Sequence, residues 1–477
     1  MATTLQSETF RPAVYPRLAR IPFLDRQSYI QNMEIIAHFE PGQLRGRKMQ
    51  MMAKGKQRLL VQGGDIIDVT EPARPTMLNK GAFDNTIQLQ VAFHGRSGKW
   101  IAMAGMQMPH LERSKYDDPS AITVETQYQG LRGIKLYDIT DPLNVDLLCE
   151  FSTGQTGGSI HRNYWDGGQY AYLTACPDET FTRVERAFAY YGKVLMIVDM
   201  SDPSDPKPVS TWWIPGQKLG EDEAYRAWPE CGDRESYTML HGPVYVPERV
   251  EDGGTRGYGA WGSFGMLIHD LSDVRNPRLI SRFNPYAPYG TTIAWHTIWL
   301  GALERNIVIS NPEVIDQDEP REVPTWVIDM QDESSPRIVG ALPRPTPPRE
   351  APYTDFSQKH GRFGTHNPPH LKAPGRPRPD FVSYTWFNAG LRCYDISDPR
   401  QPRETAYFIP PQTGRLDDVR SYLRNVDNQL VEWDRNVLYV GTDNGLYVMH
   451  TPALGAPELE PAAVGEWWPR GANVGAF

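Results

Sequence analysis

Four of the chain's eleven histidines are placed in a way that suits shared chemistry. They are His161 in GGSIHRNYW, His241 in YTMLHGPVY, His296 in TIAWHTIWL and His366 in RFGTHNPPH. Each precedes an aspartate of one recurring pattern, by 38, 29, 33 and 29 residues respectively: Asp199, Asp270, Asp329 and Asp395. Neutral imidazoles gathered in one place bind divalent ions of the Zn, Cu, Fe and Ni group, whereas all-oxygen sets suit Mg and Ca. An all-histidine set with open positions belongs to redox or Lewis-acid use rather than to a closed structural zinc site. Carboxylates expected at the same mouth are Glu179, Glu313 and Asp443. They would accept an imidazole N–H and fix its tautomer, or take a proton during catalysis. Gln88, Trp295 and Trp386 are the candidate contacts for a bound small molecule. The same four histidines also admit a metal-free acid–base cluster, or plain packing and hydrogen bonding between neighbouring elements.

What must position these residues is a repeat. DIIDVTEPARP, KLYDITDPLNV, MIVDMSDPSDPKP, LIHDLSDVRNP, WVIDMQDESSP and RCYDISDPRQP align on Asp68, Asp138, Asp199, Asp270, Asp329 and Asp395. A worn seventh copy, YVMHTPAL, aligns on His450. The spacings are 70, 61, 71, 59, 66 and 55 residues, a constant unit carrying loops of different length. Each copy reads as about four short strands, here A to D, around an Asp- and Pro-rich turn, which is the content of a propeller blade. The repeated aspartates are therefore turn residues that cap backbone N–H groups, not catalytic acids. Seven blades can close a ring and leave no open sheet edge. The four histidines fall at the start of strand A, the innermost strand, in four consecutive blades, so their rings would converge on the axis.

The segments LMIVDMSDP at 195–203 and LRCYDISDP at 391–399 resemble the LVIVD repeat of β-propeller proteins. That resemblance implies the fold over about 58–454 and is weak for function. The four-histidine axial constellation, without their sequence motifs, resembles the iron-dependent carotenoid cleavage oxygenases. It is similar also to the copper-using selenium-binding proteins related to methanethiol oxidase.

The longest insertions are 105–130, 177–191 and 312–323 between strands B and C, and 216–237 and 344–364 between blades. All five belong to the histidine face, where long loops in a compact fold serve as lids or binding loops. They are rich in aromatics, including Tyr128, Tyr190, Trp212, Trp213, Tyr225, Trp228, Tyr237 and Tyr353. Such rings can wall a pocket for an apolar or aromatic ligand, or pack loop on loop.

The remaining chemistry is set by exclusion. The net charge of −9 argues against nucleic-acid binding. No apolar run reaches membrane-span length. Four scattered cysteines and a polar beginning without an apolar signal core point to a cytoplasmic protein. Phosphate-loop, HExxH, GxGxxG and GxSxG motifs are missing.

The expectation is an all-β chain, one seven-bladed β-propeller over 1–477. Residues 1–57 would be an extension with a possible closing strand, 58–454 the repeats and 455–477 a tail. The segment 33–41, MEIIAHFEP, reads as a strand D without its strand C, so it competes with the tail at 464–468 to complete the last blade. The leading functional expectation is a metal-dependent enzyme, most simply a non-haem Fe(II) oxygenase, with Cu, Mn and Zn as other candidate ions. A lyase, hydratase or isomerase using the histidines and carboxylates is the alternative. A non-catalytic interaction propeller is the third.

Overall fold

The computed structural model describes residues 18–40, 48–84, 86, 88–106, 129–155, 159–181, 192–228, 239–285, 292–314, 324–370, 372–417 and 425–459. Two strands open it, β1 (Tyr29–Gln31) and β2 (Glu34–Phe39). Blade I follows with β3 (Met49–Lys54), β4 (Gln57–Gln62), β5 (Asp65–Asp68) and β6 (Thr76–Asn79). Blade II holds β7 (Gln88–His94), β8 (Lys99–Met106), β9 (Gly133–Asp138) and β10 (Asp146–Ser152). Blade III holds β11 (Ser159–Tyr164), β12 (Tyr170–Cys176), β13 (Val194–Asp199) and β14 (Lys207–Trp212). Blade IV holds β15 (Val244–Tyr245), β16 (Arg256–Ala260), β17 (Met266–Asp270) and β18 (Arg278–Phe283). Blade V holds β19 (Thr292–Trp299), β20 (Ile307–Val314), β21 (Trp326–Asp329) and β22 (Arg337–Ala341). Blade VI is built on β23 (Phe381–Thr385), β24 (Leu391–Asp395) and β25 (Arg403–Ile409), and blade VII on β26 (Val426–Glu432), β27 (Val437–Thr442) and β28 (Gly445–His450).

All seven sheets are antiparallel, five of them meanders of consecutive strands, and the fold is a seven-bladed β-propeller. The chain's first strands complete its last two blades. β2 pairs along β28, and β1 pairs along β25. Blade VI takes its innermost strand from the irregular segment at His366, whose N–H donates to Thr385 O at 2.8 Å while Thr385 N–H donates to Asn367 O at 3.1 Å. The innermost strand of blade I, β3, lies upstream of residue 58. Its sequence MQMMAK carries neither the histidine nor the β-branched run that marks strands elsewhere.

The burial pattern follows from the architecture. Strands such as β13 (VLMIVD) are buried on both faces, because each inner strand is packed between two neighbouring blades. The outermost strands, such as β10 (DLLCEFS), are largely exposed on one face. The repeated aspartates cap turns at the C-strand end. Asp68, Asp138, Asp199, Asp270, Asp329 and Asp395 each accept the N–H two residues on, at 2.7–3.0 Å. A second aspartate three residues later does the same in five copies, from Asp141 to Asp398. Local hydrogen bonding of this kind explains why the motif recurs while the loops vary.

Blades VII and I are joined by a buried polar knot. Glu432 accepts from Arg58 Nε at 3.0 Å, Arg435 at 2.6 Å and the Tyr439 hydroxyl at 2.9 Å. Arg435 also donates to the Val69 and Thr70 carbonyls. No helix among the described residues is long and apolar enough to cross a membrane.

Candidate metal centre on the propeller axis

The four imidazoles form an arc. Ring centroids are 4.5 Å apart for His161 and His241, 4.6 Å for His241 and His296, and 4.7 Å for His296 and His366. All four are buried. His161 Nε2 lies 3.1 Å from His241 Nε2. The Glu313 carboxylate, at the end of β20, faces the rings: 3.6 Å from His241 Nε2, 3.3 Å from His296 Nε2 and 3.5 Å from His366 Nε2. His241, His296 and Glu313 each offer one ligand atom within 4.8 Å of the other two.

Irregularities in the inner strands aim these groups. In β11 the register slips between Ile160 and Asn163. The N–H groups of His161 and Arg162 both turn to the single Thr174 hydroxyl of β12. A bulge of this type re-aims a side chain that strict alternation would send the other way. Register also slips between Ile293 and Thr297 around His296, and between Val426 and Asn428 around Asp427. The same ring level is therefore irregular in blades III, V and VII.

The bulge brings Arg162 into the cluster, a residue that sequence reading passed over. Its guanidinium donates to His296 Nε2 at 2.8 Å, to His366 Nε2 at 3.3 Å and to Asn367 Oδ1 at 3.2 Å. A second arginine, Arg362, donates to Glu313 at 2.8 Å and to Val314 O at 2.6 Å. It arrives on the 344–364 loop, which is braced by a capped turn at Phe356–Gln358 and by an Arg344–Asp355 ion pair of 2.7 Å. Gly364, at φ +145°, lets that loop press onto β20, for a Cβ there would meet Val314 Cγ2 at 2.8 Å.

Second partners set the ring tautomers. The Nδ1 of His366 pairs with the Asp427 carboxylate, which leaves Nε2 as the lone-pair nitrogen facing Glu313 and Arg162. His296 Nδ1 meets Thr297 Oγ1 at 2.9 Å. Phe387 stacks on His366 with centroids 4.7 Å apart, and the Arg362 guanidinium lies 4.5 Å from the Phe387 ring centroid. The Phe387 φ of +45° is costly for a bulky residue and persists beside these two ring contacts.

Electrostatics favour neutral rings at His241 and His296 beside an ionised acid. Burial first, with the Arg162 charge adding to it and Glu313 opposing, takes the His241 pKa down to about 3. Burial, then Arg162 and the other rings, holds His296 well below the ordinary value. Burial alone would raise Glu313, but Arg362, His366, His241 and Arg162 together outweigh it and hold the carboxyl below its usual range.

The other sequence candidates lie as follows. Trp295 is fully buried against Phe283, its indole N–H donated to Asn284 Oδ1 at 3.0 Å. Trp386 packs on Phe363 at 5.8 Å. Gln88 opens β7 with its amide buried. Asp443 sits in the tight turn between β27 and β28, its N–H donating to Asn425 O. Glu179 begins a short turn at Glu179–Phe181; its side chain lies outside the described residues. So do Tyr128, Tyr190 and Tyr237, with much of the loops at 105–130, 177–191, 216–237 and 312–323. Among the carboxylates of the described residues, Glu313 and Asp427 are the ones seen against the rings.

Residues 185–211 match the family model of the LVIVD repeat. No curated protein matches the chain. Among solved structures it is similar to Chaetomium thermophilum Raptor, at 8% identity and a TM-score of 0.48, with 90% of this chain spanning 30% of that one. It is similar also to U3-55K, at 9% identity and a TM-score of 0.45, over 88% of this chain and 98% of that one. Neither likeness bears on function.

Proposed function

We propose that the protein is a metal-dependent enzyme acting on an apolar or aromatic small molecule at the axial cluster, most simply a non-haem Fe(II) oxygenase. The observation that supports this is the spacing of the donor atoms. Imidazole Nε2 and carboxylate oxygen atoms approach one another at 3.1–3.6 Å, about the separation of neighbouring ligands around an ion with bonds of roughly 2.1 Å. Imidazoles with one ionised carboxylate suit Fe, Zn, Cu or Mn. The holding residues would be His161, His241, His296 and His366 with Glu313. A bound iron would supply O2 activation, and any of these ions would polarise a substrate oxygen. Asp427 keeps the His366 lone pair turned inward, and Arg362 keeps Glu313 ionised and in place.

Elemental mass spectrometry on anaerobically purified protein tests the reading. About one equivalent of iron or copper, lost in a folded His241→Ala/His296→Ala variant, supports it. A metal-free wild type that resists reconstitution overturns it.

One observation favours a second reading, acid–base chemistry by a lyase, hydratase or isomerase. Arg162 already occupies the Nε2 lone pairs of His296 and His366, and a guanidinium there can hold an anionic intermediate without any ion. Turnover retained with a redox-inactive metal, or with none, selects it.

A further inference from the structure

One position at the end of the second strand of each blade follows a pattern of its own. Counted four residues on from the partner of the repeat aspartate, it is Thr174 in blade III, Asn311 in blade V and Thr385 in blade VI. In blade IV it is Ala260. In blades I, II and VII, which give no ring to the arc, it is Gly63, Gly105 and Gly441. In blades I and II the innermost strands β3 and β7 pair with β4 and β8 without a slip. No side chain fits that regular pairing in blade II, for a Cβ on Gly105 would meet Ile160 Cδ1 at 2.7 Å and Gln88 Cβ at 2.8 Å.

Where the inner strand does slip, a polar side chain from this position stands beside it. In blade III, Thr174 Oγ1 accepts the N–H of His161 at 3.2 Å and of Arg162 at 2.5 Å. In blade V, Asn311 pairs with Thr297 at the edge of the slip, and its amide donates across the seam to His366 O at 2.7 Å. The slip at Asp427 is in blade VII, whose own position is Gly441, and it is held from blade VI. There Thr385 Oγ1 accepts the Asn367 N–H at 2.9 Å and donates to Asp427 O at 3.1 Å. All three side chains are fully buried. A slip takes backbone N–H and C=O groups out of the ladder, and buried ones must find other partners. These three residues supply them.

We propose that Thr174, Asn311 and Thr385 are positioning residues of the axial cluster, fixing the slipped backbone that aims its rings. His366 shows the effect best. Asn311 holds its carbonyl, its N–H donates to Thr385 O at 2.8 Å, and its Nδ1 pairs with the Asp427 carboxylate. Without the Thr385 hydroxyl, Asn367 N–H loses its acceptor and Asp427 O loses a donor. Asp427 then shifts from His366 Nδ1, and the ring no longer keeps its Nε2 lone pair turned to the axis. The proposal rests on the metal reading of the cluster and names what sets its ligand geometry.

The test compares the full chain carrying Thr385→Val, which keeps the shape, with Thr385→Ser, which keeps the hydroxyl. Nitrogen NMR of histidine-labelled, metal-free protein reads the His366 tautomer, and titration with Co(II) reads affinity and the ligand-field spectrum. Thr385→Val should mix the His366 tautomers, weaken Co(II) by about tenfold or more and alter its spectrum, while Thr385→Ser restores all three. Asn311→Leu should disturb His366 in the same way, which covers a Thr385→Val protein that fails to fold. An unmoved His366 in folded Thr385→Val or Asn311→Leu protein, or a Ser variant that behaves like Val, overturns the proposal. A His366 change in Thr385→Val that Ser reverses, in a protein that takes up no Co(II), supports the positioning role and removes the metal reading.

Discussion

Arg162 donates to His296 Nε2 at 2.8 Å, so a side-chain cation rests on a lone pair that a metal ion would use. Metal and guanidinium therefore compete for one position, and their charges repel across the cluster. Arg162→Met should raise the affinity for Zn or Fe by about tenfold or more. Competition against a chromophoric chelator measures it, and an unchanged or weakened affinity would mean that Arg162 supports the ligand set instead.

Glu313 balances that charge. Glu313→Gln keeps the shape but leaves Arg362, 3% exposed, without its carboxylate. The expected cost is about 3 kcal/mol of stability, together with loss of retained metal. Denaturant melts and elemental analysis on one sample read both effects.

His269 gives a pH dependence separate from the cluster. Its ring is fully buried, edge-on to Trp212 at 4.4 Å, and neither nitrogen has a hydrogen-bond partner among the described residues. Burial lowers its pKa from 6.5 to about 3. Between those values the unfolded chain holds the extra proton, so this contribution is present above pH 6.5 and is lost as pH falls towards 3. At pH 4 the loss is on the order of 3 kcal/mol. Urea unfolding of wild type and His269→Phe at pH 7 and pH 4 should show the variant losing less.

The repeat aspartates should behave as structure alone. Asp199→Ala removes the cap on Ser201 N–H at 2.7 Å and the Gln169 bond at 3.0 Å. It should cost about 1 kcal/mol and leave metal content untouched. Altered metal content in a folded Asp199→Ala protein would contradict the turn reading.

The ring seam is testable too. Glu432→Gln should destabilise by about 3–5 kcal/mol, since Arg58 and Arg435 stay buried. Removing residues 1–40 strips β2 from β28 and opens that edge. Light scattering should then report association, because an unpaired edge recruits other chains.

These residues also show what a sequence can carry. The Asp turns were legible because their hydrogen bonds span two residues. The strand at 33–41 was legible because it lacked a strand C, and it is the one that pairs with β28. His161, His241, His296 and His366 were legible through their shared place at the start of strand A, 29 to 38 residues before those turns. Arg162 was not: alternation beside His161 points it away from the axis, and only the slip at Ile160–Asn163 turns it inward. Nothing in HRNYW announces that slip. Glu313 was legible as a mouth carboxylate, whereas its partner Arg362 comes from a loop that no periodicity aligns.

The strand β2, which completes blade VII, is synthesised well before β26 to β28, which follow it in the chain after all the other blades. Blades I to V can form in order behind the exit tunnel, each from contiguous chain. Blade VII cannot, because its outer strand has waited through some four hundred residues of synthesis. Until then β2 is an unpaired strand beside a growing row of blades, open to capture by the wrong edge. Ring closure is thus the late, long-range step of folding. The histidine arc of blades III to VI is assembled before it, from neighbours that need no closure to meet.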